Sequence, residues 1–414
     1  MEEILMVGEG RTLPIVIVGH VDHGKSTLIG RLLYDTGCLP PDKYAEIQKS
    51  SEMLGKRVEF AFVMDCFEEE RSRGITIDTT QTFFRTSKRR YVIIDAPGHK
   101  EFLKNMITGT SQADAALLII DSFEGIRDQT KRHAYILGML GLKQIIVLLN
   151  KIDLVNYSEA KFQALKAEIT AFLAGLHIHP TFILPISAIQ GDNVATPSEK
   201  ISWFEGPTVL QALDTFEELK VEEKPLRLPI QDIYRIDGKK ILVGRIEAGH
   251  LREGETLFLL PEKKQVSVKS IEKFLQKGVA TANFEESVGI CLKGRHPLKR
   301  GQILAGDQSS MISDKMRANI FWMDQAIHQI GEPLLFRCVT QEVSCRIEKM
   351  YKKFDPASME WVEEDASSIK GAEVADVMIH LEAQVVFDPF NDIPEMGRFV
   401  LEKEGRPVAG GIIL

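Results

Sequence analysis

The run Gly19-His20-Val21-Asp22-His23-Gly24-Lys25-Ser26 matches the spacing G-x-x-x-x-G-K-[ST]. Such a loop binds phosphate, because its glycines leave backbone N–H groups free to close around the oxygens. A helix opening at Lys25 would add the positive end of its dipole. Lys25 would then reach the β- and γ-phosphates, and the Ser26 hydroxyl would ligate Mg²⁺. The expected phosphate-binding positions are Gly19, His20, Val21, Asp22, His23, Gly24, Lys25, Ser26 and Thr27.

Further down the chain, Asp95-Ala96-Pro97-Gly98-His99 supplies what hydrolysis needs. A carboxylate at Asp95 can hold a water of the magnesium shell, and Gly98 offers an unhindered N–H to a γ-phosphate. His99 is the residue placed to orient the attacking water. In Arg73-Gly74-Ile75-Thr76-Ile77-Asp78, the Thr76 hydroxyl can complete the metal sphere only while the γ-phosphate is present, which turns hydrolysis into a conformational signal. Catalytic roles are thus expected for His99, Lys25 and Thr76, and metal ligation from Ser26, Thr76 and Asp95.

The base is read by Asn150-Lys151-Ile152-Asp153. The Asp153 carboxylate can accept from the N1–H and exocyclic amine of guanine. Adenine presents an acceptor there, a mismatch costing roughly 1–3 kcal/mol, so the expected ligands are GTP and GDP with Mg²⁺. Lys151 can lay its stem along the base, Asn150 can tie this loop to the phosphate loop, and Ser187-Ala188 fits a backbone contact to the guanine O6.

These motifs need a scaffold that brings strand ends to one edge. From Leu13 to about Ala188, short apolar runs alternate with stretches of helical spacing, which predicts βαβ units and a parallel sheet. The runs are Ile15–Val18, Tyr91–Ile94, Ala115–Ile120, Gln144–Leu149 and Thr181–Leu184. Each ends beside a polar motif or a turn residue, as expected of buried strands whose C-terminal ends share one functional edge. The charged stretch Tyr34–Arg73 reads as an insertion over the site, Thr208–Leu219 as a closing helix and Val221–Pro225 as a linker. Beyond it, Leu228–Ile233, Ile241–Ile246, Thr256–Leu260 and Val266–Ile271 read as short strands of a barrel. A second β-rich block follows, with Val377–Val386 and Phe399–Leu401 as strands. The predicted fold is an α/β P-loop GTPase domain with a mostly parallel sheet, followed by two all-β barrel domains: residues 1–222, 223–310 and 311–414.

Composition agrees with a globular chain of 414 residues, 44% hydrophobic and 27% charged. With 51 Lys+Arg against 59 Asp+Glu the net charge is -8, which argues against coating nucleic acid by bulk electrostatics. The basic clusters Lys88-Arg89-Arg90, Lys131-Arg132, Lys239-Lys240 and Lys263-Lys264 are short and interrupted by acids. Five scattered cysteines without a C-x-x-C pair suggest neither a disulfide framework nor a zinc site. No apolar run approaches the ~18 residues of a membrane span and no secretory signal opens the chain, so it is expected in the cytoplasm.

The motifs and three-part layout resemble the translational GTPase superfamily, in the branch that holds aminoacyl-tRNA carriers and the large GTPase subunit of sulfate adenylyltransferase. The resemblance implies that Val21 and Ile75 form a hydrophobic gate beside His99, and that Arg73–Asp78 and Asp95–Asn105 are the two switches. Within that branch, Thr82–Tyr91, Asp121–His133, Asn156–Glu159 and Ile320–Met323, treated as stretches that touch partners, look like the sulfate enzyme. That likeness implies a GTPase subunit coupling GTP hydrolysis to sulfate adenylation by a smaller catalytic adenylyltransferase subunit, giving adenosine 5′-phosphosulfate and pyrophosphate. The alternative is an elongation factor delivering aminoacyl-tRNA to the ribosome. Asp95–His99 with Asn105–Asp114 is closer to archaeal and eukaryotic carriers, and Gly397–Val400 and the ending Gly410–Leu414 differ from the longer tail expected of the sulfate enzyme.

Overall fold

A computed structural model of the chain describes residues 12–39, 44–45, 60, 81–95, 113–139, 141–217, 224–236, 238–273, 276–356, 358 and 360–414. It divides into two compact units, Met1–Leu219 and Lys220–Leu414.

The first unit is built on a six-stranded sheet in the order β2-β3-β1-β4-β5-β6. The strands are β1 Leu13–Gly19, β2 Gln81–Arg85, β3 Arg90–Asp95, β4 Ala115–Asp121, β5 Gln144–Asn150 and β6 Phe182–Pro185. β3, β1, β4, β5 and β6 run parallel, and only β2 is antiparallel. Every residue of β4 is buried, as are all but one in each of β1 and β5. A sheet covered on both faces demands this, which is why these strands read as unbroken apolar runs. β2 was not among the expected strands. It is one of the sheet's two edge strands, and its adjacent residues Phe83 and Phe84 point to opposite faces, one 61% exposed and the other 2%.

Among the described residues of this unit the α-helices are α1 Lys25–Asp35, α2 Asp128–Met139, α3 Glu159–Gly175 and α4 Val209–Leu213. α3 starts where Ser158 accepts from the Lys161 N–H, and α4 where Thr208 and Gln211 cap each other reciprocally. α4 is shorter than the expected Thr208–Leu219. The chain turns at Asp214, whose carboxylate accepts from the hydroxyls of Thr86 (2.6 Å) and Tyr91 (2.8 Å). Most of the expected insertion Tyr34–Arg73 and the start of the linker Val221–Pro225 lie outside the described residues.

The second unit holds the two β blocks. In the first, the expected strand Leu228–Ile233 is two strands. Arg227–Pro229 pairs with Ile303–Ala305, and Asp232–Ile236 pairs with Lys239–Arg245. Between them Ile230 N–H donates to the Gln302 carbonyl and Gln231 N–H to the Val243 carbonyl, handing the chain from one partner strand to another. In the second block, a seven-stranded sheet closes on itself because Pro333–Cys338 pairs with Gln341–Asp355 as well as with Arg398–Lys403. Strand Glu360–Glu364 hangs off that ring. Each block has its own apolar core, and a smaller cluster of Leu260, Ile303, Val386, Ile393 and Met396 joins them. Beside it, buried Arg227 donates to Asp388 (3.0 and 3.2 Å), Asp307 (3.0 Å) and Ser309 (2.7 Å). Among the described residues no helix is long and apolar enough to cross a membrane.

Candidate functional site

The parallel strands end on one edge, and the polar motifs occupy their ends. Gly19 ends β1 tightly against β4, where a Cβ would stand 2.4 Å from the Ile119 carbonyl oxygen. The chain then loops through residues 20–24 into α1. Gly24 caps that helix in a left-handed conformation (φ 94°), with no side-chain cap and no acidic residue in the first turn. The N-terminal N–H groups therefore face outward with their positive potential uncompensated, as an anion requires. Lys25 Nζ is 2.9 Å from the carbonyls of both Gly19 and His20, so the lysine spans the loop it must serve. Ser26 and Thr27 follow on the first turn of α1, half-buried. Val21 N–H donates to Gln129 Oε1 on α2 at 3.5 Å, while Asp22 is exposed with φ 63°.

His23 is fully buried, with Nδ1 3.4 Å from the Ile119 carbonyl and 3.3 Å from the Asp121 N–H. These contacts ask for opposite tautomers. The donor at Asp121 makes Nδ1 an acceptor and leaves the proton on Nε2, 3.7 Å from Glu124. Burial keeps the ring neutral, with its pKa lowered to about 4. His133 on α2 is likewise buried. Its pKa is lowered to about 3 by burial first and then by Lys25 and the neighbouring His20.

Asn150, at the end of β5, is the keystone of the base side. Its Nδ2 donates to the His23 carbonyl (2.8 Å) and its Oδ1 accepts from Ala188 N–H (2.9 Å), so one side chain joins the phosphate loop, the β5 loop and the β6 loop. A Cβ on Gly24 would lie 2.4 Å from that amide. Lys151 takes a left-handed conformation (φ 60°) and pairs with Asp121 at 2.8 Å. Burial opposes ionisation of Asp121, but Lys151 and the N–H groups of Phe123 and Glu124 outweigh it and hold the carboxyl below its ordinary range. Asp153 Oδ1 is shielded from solvent without a hydrogen-bond partner. Such an acceptor fits a ligand that brings its own donors, as the guanine edge does. Ser187 and Ala188 are buried beside it.

Asp95 ends β3 in register with Ile17 of β1, on the same edge. The Ser26 hydroxyl, on the first turn of α1, is a hard oxygen donor, the chemistry Mg²⁺ takes. Ile75, Thr76, Gly98 and His99 lie outside the described residues. The sequence reading passed over Asp121 and Gln129 as site residues. Asp121 had a usable signal, since it ends an apolar strand run as Asp95 and Asn150 do.

Residues 10–219 match the family model described as the elongation factor Tu GTP binding domain, and residues 315–414 match the GTP-eEF1A C-terminal domain-like model. The chain belongs to the translational GTPase family. It is 40% identical to elongation factor 1-alpha of Pyrococcus furiosus, over 97% of this chain and 96% of that protein. With elongation factor 1-alpha of Thermoplasma acidophilum the identity is 39%, over 98% of each. A crystal structure of sup35 complexed with GDP aligns with 100% of this chain and 96% of that one, at 22% identity and a TM-score of 0.45. This translational GTPase binds GTP and GDP with Mg²⁺, and its fold is the expected P-loop domain followed by β barrels.

The relatives overturn the sulfate reading. Full-length likeness to proteins named elongation factor 1-alpha replaces the adenylyltransferase GTPase subunit, and the smaller catalytic subunit goes with it. Part of the physical reason for the error lies in burial. Asp121, Thr130 and His133 are 2%, 0% and 1% exposed, and Ile320, Phe321 and Trp322 are core residues of the last barrel. Phe84 and Tyr91 are buried as well. At those positions residue identities answer to packing against this GTPase's own interior, while apart from Thr82 the rest of 82–91, 121–133 and 156–159 is exposed or half-buried and its likeness to the sulfate enzyme has no structural explanation.

Proposed function

We propose that this chain is a cytoplasmic elongation factor that binds aminoacyl-tRNA in its GTP form and delivers it to the ribosome. The observation that carries this reading is the full-length identity, near 40%, to proteins named elongation factor 1-alpha. In this reading the chain works as three parts: residues 1–222 as the nucleotide domain, and 223–310 and 311–414 as the barrels.

Site roles follow from the chemistry. The N–H groups of His20 to Thr27 and the Lys25 ammonium meet the phosphates, with Gly19 and Gly24 kept free of side chains for close approach. Ser26, Thr76 and Asp95 would hold Mg²⁺, which would offset the negative charge of the phosphates. His99 orients the attacking water, Gly98 reports the γ-phosphate through its N–H, and Val21 with Ile75 keeps water out until a partner opens the gate. Asn150, Lys151, Asp153, Ser187 and Ala188 select guanine. No covalent intermediate is needed.

The test is whether the purified chain slows spontaneous hydrolysis of the aminoacyl ester of tRNA. Protection is expected with a non-hydrolysable GTP analogue and not with GDP. Equal protection in both states, or none in either, would refute the assignment.

A further inference from the structure

The loops after β5 and β6 carry the base-reading residues, and a set of side chains beyond the motifs ties those loops together. The short helical turn Ile152–Val155 ends in Asn156 and Tyr157, both with φ 54°. Two successive non-glycine residues in the left-handed region are strained, and they persist only where their surroundings hold them. Lys200 Nζ donates to the hydroxyl of Tyr157 at 3.2 Å, and three further hydrogen bonds hold that residue. Its N–H donates to the Ile152 carbonyl (2.9 Å), its carbonyl accepts from Trp203 Nε1 (2.9 Å), and its hydroxyl donates to Asp192 Oδ2 (2.9 Å).

Asp192 closes the link from the other side. Its carbonyl accepts from Ser187 N–H at 3.2 Å, next to Ala188, and its carboxylate takes the Ser198 hydroxyl at 2.7 Å. Lys200 lies 3.3 Å from the same carboxylate and 5.2 Å from the centre of the Tyr157 ring. Burial raises the Tyr157 phenol above its ordinary value; Lys200 works against this and Asp192 with it. The hydroxyl therefore remains a donor at physiological pH.

We propose that Tyr157 and Asp192 are positioning residues for guanine specificity: their side-chain bond fixes the loop carrying Asp153 against the loop carrying Ser187 and Ala188. The inference rests on the reading of those loops as the guanine site. Base contacts are then preorganised, and the energy of guanine binding is not diverted into ordering two loops.

The experiment compares Tyr157→Phe and Asp192→Asn with wild type in the full-length chain. Dissociation constants for GDP and ADP are measured, together with the single-turnover hydrolysis rate at saturating GTP. Loss of one such bond is expected to weaken GDP about tenfold and ADP hardly at all, so that the GDP-over-ADP preference falls about tenfold. The hydrolysis rate should stay within about twofold, a split that general destabilisation would not produce. Tyr157→Phe changes only a hydroxyl and tests the idea even if Asp192→Asn folds poorly. A wild-type preference for GDP that survives unchanged in Tyr157→Phe would overturn the proposal. A wild type without any preference would overturn the guanine reading itself, and the proposal with it.

Discussion

Replacing Asn150 by alanine probes the joint on which the base side depends. Asn150 is 2% exposed and serves two buried backbone groups in different loops, the His23 carbonyl at 2.8 Å and the Ala188 N–H at 2.9 Å. Asn150→Ala removes both partners and puts nothing in their place. A buried polar group left unsatisfied costs about 1–3 kcal/mol, so the two together cost roughly 2–4 kcal/mol once partial access of water to the loops is allowed for. That cost divides between two readouts. Part appears as lower stability of the nucleotide-free protein, and part as weaker nucleotide binding, because the ligand must order loops that Asn150 no longer joins. If all of it fell on binding, the dissociation constant for GDP would rise about 30- to 1000-fold, at about 1.4 kcal/mol per decade. The assay pairs fluorescent-GDP dissociation with denaturant unfolding of the nucleotide-free chain, and sums the two free-energy changes. A sum below about 1 kcal/mol would show that the joint is dispensable and that the reasoning from buried unsatisfied groups fails here. Asn150→Asp should fare no better, since a carboxylate can accept from Ala188 but repels the His23 carbonyl.

Two further outcomes are expected. Arg227→Ala should lower the stability of the Lys220–Leu414 unit by about 3–5 kcal/mol, because it strands the buried Asp388 carboxylate; a shift in denaturant midpoint equivalent to less than about 1 kcal/mol would mean that water already screens that charge. Acidification should destabilise the first unit: His23 and His133 have folded values of about 4 and about 3 against an ordinary 6.5. Between those values the unfolded chain binds more protons, so stability is fully present above pH 6.5 and is lost as pH falls towards 4, by at most about 1.4 kcal/mol per pH unit for each histidine. A flat unfolding free energy over that window would refute the buried neutral state of both rings.

The nucleotide-binding edge was legible because its motifs are local. The phosphate loop and Asn150–Asp153 are contiguous runs, and fully buried parallel strands produce unbroken apolar segments that point to them. The link between Tyr157 and Asp192 was not legible, because it depends on two loops 35 residues apart coming together, and Tyr157 was read only as part of a stretch that touches a partner. The end of α4 was misjudged because Asp214 is claimed by Thr86 and Tyr91 from a distant hairpin, which outweighs helical spacing. The strand at Leu228–Ile233 looked continuous because its apolar residues run across the point where the chain changes hydrogen-bonding partner, from buried Leu228–Ile230 to the largely exposed strand that starts at Asp232. The sulfate branch was chosen on stretches treated as touching partners; sequence likeness does not reveal which residues are covered, and within one such stretch Asp121, Thr130 and His133 are buried while Phe123 is 75% exposed.

The ring closure of the last barrel bears on how this protein tolerates crowding by its own copies. Strands whose hydrogen-bonding groups are taken up by ring neighbours offer nothing for another molecule to pair with. The appended strand Glu360–Glu364 is the place where such pairing could begin, and three of its five residues are glutamate. Two copies brought edge to edge there would set like charges opposite one another, which disfavours the pairing. At high concentration this barrel thus carries its own protection against β-stacking, located on the one strand that lies outside its closed ring.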